Sequence, residues 1–548
     1  MSDRFVPAVY QPGLPIDQLI LPDAPGEERI DVDVLFVGAG PAGLAGALEL
    51  ARLAAMDDAV GPLSIGVLEK AASLGEHNLS GAVVNPRAFR ELFPDLDPSE
   101  FPLGPAVERE SVYGLTERRA LRVPTPPTMR NEGNRVASIC EIVRWLGEKA
   151  QAAGVDVFTG FPAGALLTDG RRVTGVRTVP AGLDRERGKL ATYTPAADVV
   201  AKVTALADGT RSRLAQAYMQ WQQIPRANPQ IYALGVKELW ETKTPLDRVI
   251  HTLGWPLPNA AFGGSFLYPL EPNVLALGLV VGLDQPYRSL DVHELLQRLK
   301  LHPLFRGYLE GGELIEWGAK TIPEGGFYAL PARRSGDGIV LLGDAAGFVD
   351  VPSLKGIHYA MQSGVYAARA IFAGLKAGDT SATKLAEYDR LVDASYIRED
   401  LYRTRNMRLA FKSGFVIGGA KAGLMELTRG RIPGGRIATH ADADEPRRPG
   451  GAVQVVPDGA LTVSKVDAVF KSGNKTRDTI PSHLTAAEHV PAEVAEFYAS
   501  LCPAGVYEVV DGKLRVNPPN CIDCKATDVV GPRWEPREGG SGPAYKRM

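Results

Sequence analysis

Short apolar runs in this chain end repeatedly on glycine. Val32 to Val37 is nearly continuous in apolar residues, the pattern of a strand buried in a parallel sheet. It leads directly into Gly38-Ala39-Gly40-Pro41-Ala42-Gly43 and then into an alanine- and leucine-rich helical stretch. "SIGVLEK" predicts a second strand, ending at Glu69, and "VVAKVTAL" a third, running into Ala207-Asp208-Gly209-Thr210-Arg211-Ser212. Ile339 to Leu342 predicts a fourth, followed by a sharp turn at Gly343-Asp344 and an amphipathic helix from Tyr359 onward. Between the third and fourth, residues 230–283 alternate polar and apolar positions with Pro and Gly turns, which predicts an antiparallel sheet. Asn406 to Gly435 mixes apolar residues with Lys412, Lys421, Arg429 and Arg431. That suits either an interfacial segment or a packed surface helix, with "GGAKAG" at 418–423 expected to be a flexible or interfacial turn. "HADADEPRRPGG" reads as an exposed linker before a last domain.

At 548 residues the chain is too long for one core, and two to four domains are expected. The formal net charge of −3 argues against nucleic acid as the main partner. No basic-then-apolar leader opens the chain, and no uncharged apolar run of about 18 residues predicts a spanning helix. Four cysteines are too few for a disulfide framework, and a reducing compartment suits them better.

The glycine-bearing turns carry the first chemistry. In a strand–GxGxxG–helix unit the glycines make the tight turn, admit a pyrophosphate and let helix pack on strand. The pyrophosphate then sits at the helix N-terminus. Glu69, closing the next strand, is placed to accept hydrogen bonds from an adenosine ribose. Asp344 suits a ribityl hydroxyl, although an Asx turn explains it alone. Gly356 opens a helix whose N-terminus suits the pyrimidine ring of a flavin. In this order the pieces resemble the FAD fold of aromatic hydroxylases, and no second such unit exists for a nicotinamide nucleotide. In "AFGGSFLYPL", Gly263 and Gly264 would leave backbone open to a flat carbonyl ligand, or mark an ordinary β-bulge, the blander reading.

Three of the four cysteines, Cys502, Cys521 and Cys524, fall near the C-terminus in "LCPAGVYEVV" and "NCIDCKATD". Zinc would want four ligands, and His483 is the one nearby histidine worth considering. Cys140 lies in a predicted helix, where a buried inert thiol is the default.

The segments "VGAGPAGL", "LEKAASLGEHNLSGAVVNPRAFRELFPD", "QIYALGVKELWE", "FGGSFLYPLEPN", "VPSLKGIHYAMQSG", "CPAGVYE", "NCIDCK" and "GGSGPAY" together resemble the electron-transfer flavoprotein–ubiquinone oxidoreductase family over nearly the whole chain. The resemblance implies an α/β and α+β multidomain protein. A Rossmann-like FAD-binding fold of the glutathione-reductase/hydroxylase type is expected over 30–230 and 330–400. An inserted antiparallel-sheet quinone-binding domain would cover 231–329, a membrane-surface helical segment and linker 401–445, and a ferredoxin-like iron–sulfur domain 446–548. It implies FAD held by Gly38, Gly40, Pro41, Ala42, Gly43, Glu69, Lys70, Ser80, Gly81, Asp208, Gly343, Asp344 and Gly356. Ubiquinone or menaquinone would meet Gly263 and Gly264, which overturns the bland reading there. It implies a [4Fe–4S] cluster on Cys502, Cys521 and Cys524, with Tyr507 tuning its potential by hydrogen bonding. No residue is expected to act as a catalyst in its own right. The expected donor is reduced electron-transfer flavoprotein, and the expected place is the cytoplasmic face of an inner membrane, as a monotopic protein without a targeting peptide.

Three positions depart from the family pattern. Asp350 stands where the family usually has Asn, and Ile357 where it usually has Thr, both near the flavin. An ionised Asp350 would disfavour anionic reduced flavin and lower its potential. Thr527 stands where the last cluster cysteine is expected. The remaining iron corner is then open to Thr527, Asp528 or water, or lacks its iron as in a [3Fe–4S] centre. The alternatives are a quinone reductase of the same family without a complete cluster, a flavin monooxygenase or isoprenoid reductase of the same fold, and a non-enzymatic docking subunit.

Overall fold

The computed structural model describes every residue except 1–3, 23, 24, 27, 28, 82 and 433. Its first layer is a nine-stranded sheet. Arg29–Val37 pairs in parallel with Ile65–Glu69 on one side and with Asp198–Leu206 on the other. Ile339–Leu341 extends the parallel set from the carboxyl half of Asp198–Leu206. All four strands predicted from apolar runs are therefore neighbours, and their glycine-bearing ends lie at one edge. Parallel strands covered on both faces need such runs, because neither side meets water.

Two helices cover one face, Pro41–Met56 and Ile357–Lys376. They cross so closely that a Cβ on Gly364 would lie 2.2 Å from the Ala42 carbonyl oxygen. The second helix begins at Ile357, two residues before the amphipathic pattern suggests. Gly343-Asp344 is one helical turn, Gly343–Ala346, closed by Gly347 in the left-handed region.

The middle layer is a seven-stranded sheet in the order Glu313–Pro323, Tyr232–Glu241, Val274–Gly282, Gly263–Glu271, Val249–Gly254, Glu110–Leu115, Ala120–Val123. The pairings are antiparallel except between Val249–Gly254 and Glu110–Leu115. Residues 110–123 thus pair in this sheet and not in the nucleotide sheet, although they lie inside the 30–230 span expected for the FAD-binding domain. Their partners lie far along the chain, so no local pattern announced the exchange. One face of this sheet turns to the nucleotide layer. The other shares a hydrophobic core with helix Val292–Lys300 and with the C-terminal region, through residues such as Trp317, Phe497 and Ile522.

The C-terminal region holds helix Ala492–Leu501, the hairpin Tyr507–Val510/Lys513–Val516, and the short pair Leu484–Thr485/Arg533–Trp534 around the cysteines. At the surface, helix Phe415–Leu427 includes "GGAKAG", which is a helix interior and not a turn. Gly418 is needed there because a Cβ would meet Phe411 Cα at 2.6 Å, whereas Gly419 and Gly423 face open space. Close packing outweighs the roughly 1 kcal/mol helix cost of a glycine.

Candidate functional site

A cavity of about 360 Å³ opens where the strand ends of the first sheet meet the inner face of the second. Its floor is built locally. Strand Arg29–Val37 ends at Gly38, which adopts φ +105°, and a Cβ on Gly43 would lie 2.1 Å from the Gly38 carbonyl oxygen. Only glycine allows this strand-to-helix turn. Gly40 caps helix Pro41–Met56 with no side chain, so its first N–H groups face the cavity. Gly356 does the same for helix Ile357–Lys376. Two long, uncapped helix N-termini thus converge on one space, an arrangement that favours anionic groups.

Of the expected flavin residues, Gly38, Gly40, Pro41, Ala42, Glu69, Lys70, Ser80, Gly81, Asp208, Asp344 and Gly356 line this cavity. Gly43 and Gly343 lie behind it, where their role is packing. Glu69 accepts hydrogen bonds from the Ala39 and Ala71 N–H groups at 3.1 and 2.9 Å, which fixes it against the glycine turn. Asp208 Oδ2 accepts from Ser212 Oγ at 2.7 Å, while its Oδ1 is buried without a partner. Burial raises the Asp208 pKa and pushes that of Asp344 up to about 6. Ile357 lines the cavity. Asp350 does not: its carboxylate accepts from Ser353 Oγ and, at 2.8 Å, from Thr404 Oγ1, and burial pushes its pKa up to about 6.

The second sheet adds cations that the motifs did not identify. Lys237 lies in strand Tyr232–Glu241 and Lys320 in Glu313–Pro323, and both line the cavity. Lys237 Nζ is buried without a partner, and burial pushes its pKa down to about 8. Burial, helped by Lys70 and Lys525, brings Lys320 down to about 7. The sequence signal was a lysine inside an otherwise apolar strand, "YALGVKELW" and "WGAKTIP". An orphaned acceptor, open helix N-termini and under-neutralised ammonium groups fit a dinucleotide with a pyrophosphate and a ring that gains negative charge on reduction.

Gly263 and Gly264 open strand Gly263–Glu271 and do not line the cavity. Pairing runs unbroken from Gly263 to Pro269, so no bulge lies at the pair; the irregularity falls between Pro269 and Glu271. Further along the same strand, Phe266 and Tyr268 do reach the cavity. Just before the pair, Phe262 packs on Phe411 with ring centroids 5.0 Å apart, and Asn259 accepts from the Phe415 N–H. The strand therefore links the cavity wall to helix Phe415–Leu427. That helix exposes Val416, Ile417, Leu424 and Leu427.

Cys502, Cys521 and Cys524 line a second, small cavity together with Tyr507, Thr527 and Trp534. Burial pushes the Cys521 thiol up to about 12 and raises the other two, so thiolates there need a cation. Tyr507 Oη lies 3.2 Å from Thr527 Oγ1. Asp528 is turned away: Oδ2 accepts from Arg211 Nε at 2.7 Å and Oδ1 from the Trp534 N–H at 3.0 Å. The carboxylate expected as an alternative ligand, Asp528, is thus already committed. His483 lies beside Cys521 and Asp523 but does not line this cavity. Cys140 sits in helix Ile139–Ala152, its thiol against the Asn78 carbonyl. Three thiols converging with two hydroxyls fit an iron–sulfur cluster better than a tetrahedral zinc, which would lack its fourth ligand.

The two cavities share a wall. Asp523, between the paired cysteines, accepts from Lys70 Nζ at 2.6 Å, Arg537 Nη2 at 2.9 Å and Trp534 Nε1 at 3.0 Å. The Thr321 N–H donates to the Cys524 carbonyl at 3.0 Å, and Lys525 Nζ to the Thr210 carbonyl at 2.9 Å. Lys525 and Trp534 line both cavities.

Comparison with known proteins agrees with this architecture. A family model described as ETF-QO, ubiquinone-binding, matches residues 232–322. One described as electron transfer flavoprotein-ubiquinone oxidoreductase, 4Fe-4S, matches residues 459–546. The mitochondrial electron transfer flavoprotein-ubiquinone oxidoreductase of Arabidopsis thaliana is 37% identical, over 95% of this chain and 85% of that protein. The Pseudomonas aeruginosa protein of the same name is 37% identical over 95% of this chain and its own full length. The human mitochondrial protein is 37% identical over 94% and 89%. Among solved structures, a geranylgeranyl bacteriochlorophyll reductase-like protein from Thermoplasma acidophilum shares the fold, with TM-score 0.57 and 21% identity over 73% of this chain and 92% of that one. The flavin-dependent brominase Bmp2 aligns with TM-score 0.50 and 18% identity, covering 73% and 98%. The chain belongs to the electron transfer flavoprotein-ubiquinone oxidoreductase family.

Proposed function

We propose that this protein takes electrons from reduced electron-transfer flavoprotein and delivers them to a membrane quinone, using FAD and a [4Fe–4S] cluster. The observation that carries this is the shared wall. The thiol loop is hydrogen-bonded onto the flavin-lining strand and loop through Thr321, Lys70 and Thr210, with no solvent layer required between the two sites. FAD, when bound, supplies redox chemistry that accepts single electrons and releases pairs. The chain's own contribution is to bind and bias. The open helix ends at Gly40 and Gly356 hold negative charge, and Lys237 and Lys320 favour its increase on reduction. Apolar side chains such as Leu68, Leu79, Leu342 and Phe266 line the same cavity beside these charges.

Quinone access is supported by strand Gly263–Glu271. It starts next to helix Phe415–Leu427 and continues to Phe266 and Tyr268 at the flavin cavity, so Gly263 and Gly264 stand on the path of a hydrophobic substrate. The exposed apolar residues of that helix, with Ile432, Lys421 and Arg431 beside them, suit a bilayer surface on which cations snorkel. Among the described residues no helix is long and apolar enough to cross a membrane. A monotopic seat on the cytoplasmic face of an inner membrane follows as the proposed location, with the FAD-binding domain drawn from 30–230 and 330–400, the strands of 110–123 excepted, and the quinone and cluster domains at 231–329 and 446–548. The test is reduction of a short-chain ubiquinone analogue by full-length, FAD-loaded protein given enzymatically reduced electron-transfer flavoprotein. Turnover with that donor but not with NADH or NADPH supports the reading; turnover with a nicotinamide donor alone refutes it.

A further inference from the structure

The thiol cavity is asymmetric in its chemistry. Three of its walls offer a thiol, from Cys502, Cys521 and Cys524. The fourth offers the Thr527 hydroxyl, 7% exposed, whose hydrogen-bond partner is the Tyr507 hydroxyl at 3.2 Å. The carboxylates near it are occupied, and no imidazole lines the cavity. The Asp528 carboxylate holds Arg211 and the Trp534 N–H. The Asp523 carboxylate holds Lys70, Arg537 and the Trp534 indole. His483 stands on the Asp523 side of Cys521, outside the cavity lining. Among the described residues, then, no carboxylate or imidazole lines the thiol cavity beside Thr527; His483, whose ring nitrogens have no partner, approaches Cys521 from outside that lining.

We infer that the cluster is site-differentiated: the iron facing Thr527 is held by neutral oxygen, from the hydroxyl or a water beside it, and exchanges while the three thiolate-bound irons stay. This rests on the cluster reading above. Iron prefers thiolate to a neutral oxygen donor in such clusters, so one corner is bound far less firmly than the others. Tyr507 holds the hydroxyl at that corner through their shared hydrogen bond, in which either oxygen could donate. The release step balances as [4Fe–4S]²⁺ going to [3Fe–4S]⁺, Fe²⁺ and one electron, the electron passing to an added one-electron oxidant such as ferricyanide. Return requires one electron from a reductant and one Fe²⁺.

The test uses full-length protein purified anaerobically, with iron and acid-labile sulfide counted and low-temperature EPR recorded. Stoichiometric ferricyanide with a chelator present is expected to remove about one iron in four with sulfide retained, and to raise a [3Fe–4S]⁺ EPR signal. Dithionite and ⁵⁷Fe²⁺ should then restore the lost iron, with Mössbauer spectra placing the label at a single site. Thr527→Cys, a near-isosteric change, should keep its iron under the same treatment. Full retention of iron by the unaltered chain, equal loss from Thr527→Cys, or label spread over all sites would each overturn the inference while leaving the cluster itself established. Absence of iron and sulfide from the anaerobic protein would overturn both.

Discussion

Replacing Asp523 by Asn isolates the joint between the two redox sites. Asp523 is 1% exposed and takes three nitrogen donors, two of them cationic, besides a long contact from the Cys521 thiol. Its backbone is in the left-handed region at φ +56°, which Asn tolerates, so the substitution removes charge without adding backbone strain. The amide presents an NH₂ group to either Lys70 or Arg537 and leaves the Arg537 guanidinium, 3% exposed as a side chain, without its counter-ion. Breaking a buried pair on one side costs about 3–5 kcal/mol, because the partner charge stays buried. The loss should be local, so hydrogen exchange of residues 521–534 in the flavin-loaded protein is the proper readout. Opening there should become at least about 10²-fold more frequent, which corresponds to about 3 kcal/mol. Adding Arg537→Met should recover part of the loss, because no charge is then stranded. The cations around Asp523 hold its pKa well below the usual carboxylate range against the opposing effect of burial. A depressed folded pKa means the contribution is present above the unfolded value and is lost only as pH falls below it. The Asp-over-Asn advantage should therefore be flat from pH 8 to pH 5. A change in opening free energy below about 1 kcal/mol, or a double variant no better than the single, would refute the reasoning.

Asp350→Asn should raise the flavin midpoint potential at pH 8, and spectroelectrochemical titration should show the difference closing as pH falls through about 6, where Asp350 takes its proton. Because that pKa is raised in the folded state, the wild type also loses stability relative to the Asn variant as pH rises from about 4 to 6, by up to about 3 kcal/mol on thermal or denaturant unfolding. Gly43→Ala places a methyl 2.1 Å from the Gly38 carbonyl oxygen and should yield protein with little bound flavin, read from the absorbance of the purified protein. Lys237→Met removes a buried, unpartnered ammonium; it should stabilise the flavin-free protein while lowering the flavin midpoint potential in the same titration. Val416→Glu with Leu427→Glu, at side chains from residues 76% and 85% exposed, should abolish co-sedimentation with liposomes and spare flavin content.

The parts of the site legible in sequence are those whose cause is local. A strand, a glycine turn and a helix lie within a few residues of one another around Gly38–Gly43, and one carboxyl at Asp344 follows its own strand. The three cysteines could be counted in the same way. What was not legible depends on distant partners. Asp528 is drawn out of the thiol cavity by Arg211, 317 positions away. Glu110–Leu115 joins the second sheet by parallel pairing with Val249–Gly254, a contact no short-range periodicity records. The glycines of 418–423 suggested a turn, and packing of Gly418 on Phe411 overrode that propensity. Lys237 and Lys320 were visible as charges in apolar strands, but which cavity they served depended on how the two sheets face each other.

Lys525, Trp534 and Pro536 form part of the flavin cavity wall, yet they are synthesised after every other part of it. A nascent chain that has finished both sheets still has an open flavin groove, and the cysteine region closes it from outside. Flavin bound there is expected to be held more firmly once that region has docked. Cofactor retention is thus a matter of assembly order. Failure to build the cluster should appear first as a protein that leaks flavin.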